Sequence, residues 1–407
     1  MSNIVATKNN PNNMNPEVFV QQAMSVISDD PYDRVPSMVI QMMTKPDVVF
    51  DTHCHIFDKY CVTKNYFLLR LLGNLDPDKS FDEILEQIVG SNKDNEFDEL
   101  FKIMKMKNMT EVLDHYLQNF ACQQNIVCVP LMMDLDEGWY FKAEKTQKDQ
   151  ILELKEIMQH RAILPFLSVD PRKAKKRGDN NLYKLFLDAF TPDENNNRFF
   201  GIKVYPALGY LASDVSLWPI YRICEAKNIP VVTHCGGSII RSYQNDYDMY
   251  GYQIKNNEVV SLKYHLNIKN SKERANFLNH PKHWEVVLKK YPKLKLNLGH
   301  FGGIDNWLQL SKTGRNEVIE TINRLMGYEN VYADISYDIV ENKFAKVFLD
   351  NYDNNITIRN KTLFGTDYWM ALAAGDFKKN AGEFLTKCGP RKDKLMHENP
   401  MTYLFKK

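Results

Sequence analysis

The sequence predicts an α/β fold of the (β/α)₈ class, the TIM barrel, and three observations support this. Eight short apolar runs recur along the chain, and most gaps between them carry apolar residues at helical spacing. The length of 407 residues leaves room for long insertions beyond the ~250 residues of a typical barrel. No glycine-rich GxGxxG turn follows any of the runs, which weakens the alternative of an open dinucleotide-binding sheet.

The eight apolar runs are continuous rather than alternating, which is typical of strands buried on both faces of a parallel sheet. They span residues 48–53, 125–132, 162–169, 199–205, 229–234, 294–300, 331–336 and 362–367. Between runs, segments 182–190 and 217–227 have apolar residues three and four positions apart, as amphipathic helices do. Eight strands that alternate with helices favour a closed barrel.

Two connections are too long for simple crossovers, and we interpret them as insertions in a barrel that spans residues 46–407. The first covers about 60–120 after strand one, and the second covers about 236–290 after strand five. Both leave the carboxyl end of a strand, where barrel enzymes place their active sites, so helical lids are expected there. Residues 1–45 form an N-terminal extension made of an Asn-rich tail and a helical leader.

Charge, apolar runs and cysteine spacing argue against a nucleic-acid-binding, membrane-spanning or secreted protein. Lys and Arg number 52 and Asp and Glu 51, so the net charge of +1 indicates no nucleic-acid partner. The longest apolar run is far shorter than a membrane span, and the first fifteen residues lack the apolar core of a secretory signal. The seven cysteines form no CxxC pair. We therefore expect a cytoplasmic protein that acts on a small molecule, with assembly into a homo-oligomer left open.

Polar residues gather at the ends of the predicted strands. His53 and His55 close strand one, and because strand side chains alternate they point to the same face. His234, His300 and Asp367 end strands five, six and eight. Imidazoles that share a buried site would repel one another once protonated, whereas a shared metal ion requires them neutral. The pattern therefore predicts a metal site at the mouth of the barrel.

Five motifs at these strands resemble those of the amidohydrolase superfamily of metal-dependent TIM barrels, in particular its amidohydrolase-2 branch. They are DTHCH (51–55), GIKVYPALGY (201–210), PVVTHCGG (230–237), HPKHWEVVLKKYPKLKLNLGHFGG (280–303) and LFGTDYW (363–369). The resemblance covers roughly residues 48–405 and leaves out the N-terminal extension and the two insertions. The branch contains hydrolases such as lactonases and also decarboxylases of aromatic or muconate-type acids.

The resemblance implies a role for each strand-end residue. His53, His55, His234 and Asp367 would be ligands of one divalent ion. Zn²⁺ suits this donor set best, and Mn²⁺, Fe²⁺, Co²⁺ or a second ion remain alternatives. Asp367 would also accept a proton from the metal-bound water and pass it to the leaving group. His300 would polarise the substrate carbonyl or hold the water, or else orient a ligand from outside the first shell.

Lys203 has two interpretations. It lies near the end of strand four, where an unpaired ammonium is costly to bury. As in dihydroorotase-like relatives, it would be a carboxylated lysine that bridges two metals; otherwise it is an unmodified amine paired with a carboxylate. The resemblance favours the unmodified amine and a single ion. Arg241, Arg172 and Trp369 lie at the same mouth and are candidate substrate contacts.

The sequence thus predicts a hydrolase that uses metal-bound hydroxide to attack a C–O or C–N bond next to a carbonyl. A metal-dependent decarboxylase on the same scaffold is the alternative, because the two histidines of strand one are compatible with both reactions. A catalytically silent binding protein is disfavoured, since buried polar ligands without a metal would carry an uncompensated desolvation cost.

Overall fold

Short buried strands at the predicted positions form the centre of the molecule. The computed structural model describes residues 14–62, 98–120, 125–139, 142–341, 343–372 and 376–407. The predicted tail up to residue 13 and residues 63–97 of the first insertion lie outside these ranges. The ten strands of the described residues are β1 Val49–Cys54, β2 Ile126–Pro130, β3 Phe166–Val169, β4 Gly201–Val204, β5 Val231–His234, β6 Asp246–Lys255, β7 Glu258–Asn267, β8 Leu296–Gly299, β9 Val331–Asp334 and β10 Thr362–Leu363.

Each of the eight predicted apolar runs overlaps one of these strands, and the eight strands are buried along their whole length. Continuous burial follows from the continuous apolar runs, because a parallel sheet covered by helices has no solvent face. Six of them pair in parallel in the order β10-β9-β8-β5-β4-β3, and β1 pairs in parallel with β2. The chain therefore has a mixed α/β fold built on a parallel sheet.

Further contacts link the β1–β2 pair to both edges of the six-stranded sheet. Bridges join Cys128 to Ile163 and Leu131 to Phe166, next to β3. On the other side, the Thr52 backbone N–H donates to Phe364 O, which follows β10, at 3.0 Å. These contacts bring the carboxyl ends of β1 and β10 side by side.

Helices fill the connections between the strands. Helix Leu182–Phe190 illustrates why: its apolar face is buried, and the Asn181 side chain caps its first turn by accepting from the Tyr183 and Lys184 N–H groups. The α-helices of the described residues are Pro16–Val26, Ser37–Met43, Asp98–Lys105, Met109–Asn119, Asp136–Trp139, Gln147–Ile157, Leu182–Phe190, Trp218–Ala226, Ser271–Leu278, Glu285–Lys290, Ile304–Thr313, Glu317–Leu325, Phe344–Asn354, Ile356–Lys361, Tyr368–Ala371, Phe377–Cys388, Arg391–Asp393 and Asn399–Phe405. None of these helices is long and apolar enough to cross a membrane.

The second insertion includes helices, as predicted, but it also contains two strands that the sequence did not indicate. It contains an antiparallel hairpin of β6 and β7, joined by Asn256 and Asn257, before helix Ser271–Leu278. Both asparagines have positive φ (50° and 64°), the conformation of a two-residue hairpin turn. The insertion contacts the carboxyl end of the sheet through Asn279, which donates to Gly236 O at 3.0 Å and accepts from Ala207 N at 2.9 Å.

Candidate metal centre

Two histidines at the end of β1 and one aspartate after β10 meet at the carboxyl end of the sheet. His53, His55 and Asp367 each bring one nitrogen or oxygen atom to within 4.8 Å of the others, and all three are buried. The Thr366 and Asp367 N–H groups both donate to His53 O, at 3.0 and 2.7 Å, which fixes the two segments against each other. Three of the four predicted ligands are therefore gathered in one place.

Hydrogen bonds set the orientation of both β1 histidines. His53 Nδ1 lies 2.9 Å from Asp334 Oδ2, and His55 Nδ1 lies 2.8 Å from Leu131 O. Each acceptor requires a proton on Nδ1, so in the neutral rings Nε2 carries a lone pair. Both Nε2 atoms can therefore coordinate a metal. In each ring the other nitrogen, Nδ1, is held by a hydrogen bond to the protein, as is usual for metal-ligating histidines.

The Asp367 carboxylate has an unsatisfied oxygen. Oδ1 is buried and accepts no hydrogen bond from the described residues, although His55 Nε2 lies 3.2 Å away. Burial alone would raise the pKa of Asp367, but His55 and then His300 and His53 lower it below its usual value. A buried anionic oxygen without a donor is costly, so this oxygen fits a cation ligand.

The backbone that presents these groups is strained. His300, Phe301, Tyr337 and Asp367 have φ of 65°, 42°, 65° and 51°, a left-handed region that residues other than glycine rarely adopt. They directly follow β8 or lie just beyond β9 and β10. Strain of this kind costs about 1–3 kcal/mol per residue and concentrates at functional sites. The strand ends are thus shaped for the site rather than for stability.

The fourth predicted ligand, His234, pairs with His300 instead of joining the trio. Its Nε2 lies 2.9 Å from Gly237 O and its Nδ1 lies 3.0 Å from His300 Nε2. The His300 ring is in turn 4.7 Å from that of His53, centroid to centroid. His234 and His300 therefore form a buried pair beside the trio.

Burial lowers the pKa of both His234 and His300, so the pair is neutral at pH 7. Because Gly237 O needs the proton on His234 Nε2, His234 Nδ1 must accept from His300 Nε2–H. His300 Nδ1 then accepts from the Ser336 hydroxyl, which lies 3.1 Å away. The Ser336 carbonyl oxygen also lies 3.1 Å from His300 Nδ1, and the Ser336 hydroxyl also contacts Asp334 Oδ1. Both contacts favour a proton on His300 Nδ1, so two neutral rings do not satisfy all of these contacts at once.

Lys203 lies inside the centre. It is buried in β4 and its Nζ is 3.3 Å from His53 Nε2, the nitrogen that carries the lone pair. Burial lowers the pKa of Lys203 to about 8, although the nearby Asp334 and Asp367 oppose this shift. Burial likewise lowers the pKa of His53 to about 3, with Lys203 acting in the same direction. The position agrees with both interpretations of this lysine.

Asp334 is a site residue that the sequence reasoning missed. It ends β9, is fully buried, and accepts hydrogen bonds from His53, Asn297, Ser336 and the His300 backbone N–H. Burial opposes ionisation, yet His53, His300 and Ser336 hold its pKa well below the usual range. The sequence did contain a signal for it, because Asp334 is a carboxylate at the end of a predicted strand, as Asp367 is, and polar residues at strand ends were the basis for predicting the site.

The three predicted substrate contacts lie around the mouth but are engaged to different degrees. Arg172 Nε and Nη2 bind the Asp170 carboxylate at 2.9 and 2.6 Å, an arrangement that favours a structural role over a substrate contact. Arg241 donates to Ser238 O and, at 3.3 Å, to the Ser271 hydroxyl. The Trp369 ring stacks on Phe57, with centroids 4.7 Å apart.

Known proteins resemble this chain in sequence family and in fold. The family model Amidohydro_2, described as amidohydrolase, matches residues 137–405, a range that leaves out β1. An uncharacterized TIM-barrel protein from Bordetella bronchiseptica is similar in structure, with a TM-score of 0.50 and 14% identity over 88% of this chain and 98% of that one. A protein named amidohydrolase II has a TM-score of 0.45 and 13% identity over 88% of this chain and 99% of its own. No curated protein matches the chain.

Proposed function

The chain belongs to the amidohydrolase family and is an enzyme of the hydrolase type, and from this premise we propose that it is a metal-dependent hydrolase of a small molecule. The bond cleaved would be a C–O or C–N bond next to a carbonyl, as in a lactone, ester or amide. The observation that carries the proposal is the buried trio His53, His55 and Asp367, with a free oxygen on Asp367.

The donor set fits a divalent cation. Two neutral imidazole nitrogens and one carboxylate oxygen are the ligands that Zn²⁺ prefers, and Mn²⁺, Fe²⁺ and Co²⁺ also accept them. His53, His55 and Asp367 would hold the ion. His234 is proposed as a fourth donor, and to act as one it would have to release its hydrogen bond to Gly237 O or to His300. When bound, such an ion supplies a water of lowered pKa and an electrophile for the substrate carbonyl.

The neighbouring side chains suit hydrolysis. The pKa of Asp367 lies below its usual value, so at neutral pH its carboxylate is ionised and can accept a proton from water and later return it to the leaving group. His300 is proposed to polarise the substrate carbonyl or to hold the water, and for this its Nε2–H would have to exchange His234 Nδ1, 3.0 Å away, for that oxygen. Arg241 and Trp369 are proposed to border the substrate.

The sheet that supports this site is proposed to close into a barrel of eight parallel strands. The bridges from β2 toward β3 and the hydrogen bonds from β1 to the segment after β10 support closure. In a closed barrel all eight carboxyl ends surround one mouth, which explains why residues from β1, β5, β8, β9 and β10 meet.

Metal analysis followed by a substrate screen tests the proposal. Protein purified without chelator should contain about one divalent ion per chain, and it should hydrolyse at least one member of a panel of lactones, esters and amides. Aromatic and muconate-type acids belong in the same panel. Release of CO₂ from one of these acids, with no hydrolysis of the others, would establish the decarboxylase instead. A protein that binds no divalent ion would refute both activities.

The state of Lys203 tests the number of ions. With one ion, the mass of Lys203 should be that of unmodified lysine and added bicarbonate should leave activity unchanged. A carbamate would instead supply an anionic ligand able to bridge two ions about 3.5–4 Å apart, and metal titration would then saturate near two per chain. In that case His300 becomes a candidate ligand of the second ion, and our proposal of a single ion is wrong.

A further inference from the structure

We propose that the helix Met109–Asn119, from the first insertion, is a positioning element of the metal centre and acts mainly through Tyr116. This inference rests on the proposed function, because it concerns the ligands of that centre. The helix belongs to neither the predicted set of site residues nor the part of the chain that the family model matches. Its evidence is a chain of buried hydrogen bonds that ends on the segments that carry the ligands.

The helix is fixed to the body of the molecule at both its start and its outer face. Asn108 caps it by accepting from the Glu111 N–H at 2.8 Å. The Met109 N–H donates to Glu153 Oε1 at 2.8 Å, and Arg161 Nε donates to Asp114 at 2.9 Å. The inner face of the helix, including Tyr116, is buried in the main core. A helix held in this way can transmit its position to the groups that it contacts.

Tyr116 contacts the strand that carries both histidine ligands. Its hydroxyl donates to Asp51 Oδ2 at 2.7 Å, and both side chains are fully buried. The other oxygen, Asp51 Oδ1, accepts from the backbone N–H groups of His53 at 3.1 Å and Thr366 at 3.0 Å. Because Thr366 directly precedes Asp367, this one carboxylate sets the distance between the histidine segment and the aspartate segment. Tyr116 and the Thr366 hydroxyl hold the carboxylate in place.

A second contact reaches the aspartate segment from the same helix. His115 Nδ1 lies 2.7 Å from the hydroxyl of Tyr368, the residue after Asp367. The Tyr116 and Tyr368 rings also meet edge to face, with centroids 4.7 Å apart. Two neighbouring helix residues, His115 and Tyr116, thus contact the segment that carries Asp367 and the strand that carries the two histidines. The helix therefore restrains His53, His55 and Asp367 relative to one another without touching their ligand atoms.

Removal of the Tyr116 hydroxyl should weaken metal binding more than it weakens the fold. In Tyr116→Phe, Asp51 Oδ2 keeps only the Thr366 hydroxyl as a donor, so the carboxylate is freer to move and to shift the His53 and Thr366 backbones. Loss of an outer partner of a metal ligand costs roughly 10–100-fold in affinity, and for this more distant contact we expect a loss of about tenfold.

The matched control is Tyr221→Phe. Tyr221 is also fully buried, lies on helix Trp218–Ala226, and donates its hydroxyl to Ala212 O at 2.7 Å, with no link to the trio. Both variants lose one buried hydroxyl, so their metal-free forms should show similar decreases in the thermal midpoint. Zn²⁺ affinity, measured by competition with a coloured chelator, should fall about tenfold only for Tyr116→Phe. The visible absorption of the Co²⁺ form should change only in that variant.

A second variant keeps the inference testable if Tyr116→Phe does not fold. Tyr368→Phe removes the hydroxyl that contacts His115 and should lower Zn²⁺ affinity in the same direction. Unchanged affinity and unchanged Co²⁺ spectra in both variants, relative to Tyr221→Phe, would overturn the positioning role while the metal centre stood. Failure of the wild-type chain to bind any divalent ion would overturn the proposed function and this inference together.

Discussion

A buried basic side chain lies at each end of strand β8, and the two side chains differ in the number of their hydrogen-bond partners. Lys295 precedes the strand and His300 follows it, and both are almost fully buried. His300 has partners on every side: His234, Ser336 and, through its backbone N–H, Asp334. Lys295 has only Leu404 O at 3.5 Å, and the described residues provide no carboxylate within salt-bridge distance. The buried basic group at the carboxyl end is held by several hydrogen bonds, whereas the one at the amino end has a single weak contact among the described residues.

The same contrast holds across the sheet. The carboxyl ends carry the histidines and aspartates of the candidate site, whereas the amino ends contact an apolar cluster that includes Phe50, Phe200 and Phe405. The candidate metal centre and the apolar cluster therefore lie at opposite ends of the strands. Substitutions at the carboxyl ends should change metal binding and activity, and substitutions at the amino ends should change the free energy of unfolding.

The largest effect is expected at the carboxyl end of β1. The double variant His53→Ala/His55→Ala removes two of the three gathered ligands, so metal content should fall below a tenth of an ion per chain, and activity should fall by several orders of magnitude. The metal-free protein should keep its fold but have a lower thermal midpoint, because two buried side chains and the hydrogen bond from His53 to Asp334 are lost. Metal analysis, activity and circular dichroism measure the three quantities. Full occupancy and activity in this variant would contradict the proposed centre.

Asp334→Asn should have the next largest effect, through the tautomer of His53. Both carboxylate oxygens of Asp334 accept hydrogen bonds, and in the variant an amide N–H₂ group replaces one of them. It would face either the N–H groups of His300 and Ser336 or the N–H of His53 Nδ1. The second arrangement favours the tautomer with its proton on Nε2, which cannot bind a metal. We expect a loss of about 10–100-fold in metal affinity, measured by chelator competition.

The control for that variant is Asp214→Asn. Asp214 accepts a hydrogen bond from the Ser216 N–H at 2.8 Å at the start of a short helical turn, away from the trio. Burial raises the pKa of Asp214 to about 6, so its charge is disfavoured in the fold and a neutral amide is tolerated there. The variant should keep its metal affinity. Equal metal affinities for the two variants would mean that Asp334 supports only the fold and has no role in metal binding at the carboxyl end of the sheet.

Much of the carboxyl end could be predicted from the sequence, because its signals are local. The parallel strands follow from continuous apolar runs, and the meeting of His53, His55 and Asp367 follows from placing residues at strand ends. Asp334 was within reach of the same rule. Its role depends, however, on a hydrogen bond to a residue 281 positions away, and no spacing in the sequence indicates such a partner.

The insertions were harder to predict. Along the β6–β7 hairpin, exposed residues alternate only roughly with buried or partly buried ones, and polar and charged residues interrupt the apolar positions, which hides the period-two pattern in the sequence. The Tyr116–Asp51 hydrogen bond joins an insertion helix to strand β1, and such a contact appears only once the two are packed together. The placement of His234 beside His300, rather than within the trio, is likewise a matter of side-chain geometry that strand alternation does not specify.

The smallest effect is expected at the amino end of β8, and it should depend on pH. Burial lowers the pKa of Lys295 to about 7, with Arg34 and Lys406 acting in the same direction, whereas the unfolded chain has the ordinary value near 10.5. Below pH 7 the folded protein therefore carries a buried charge that destabilises it. Between pH 7 and 10.5 the unfolded state binds more protons than the folded state, so stability should rise with pH across that window.

Lys295→Met removes this charge and keeps a side chain of similar length. Its free energy of unfolding should exceed that of the wild type by about 1–2 kcal/mol at pH 6, and the difference should shrink toward zero as the pH approaches 10. Metal affinity and activity should be unchanged at both pH values, since the substitution lies at the opposite end of the strand from His300. Urea unfolding at the two pH values measures the effect. A difference that stays constant with pH would mean that packing rather than charge is responsible, and a loss of metal affinity would show that the two ends of β8 are coupled.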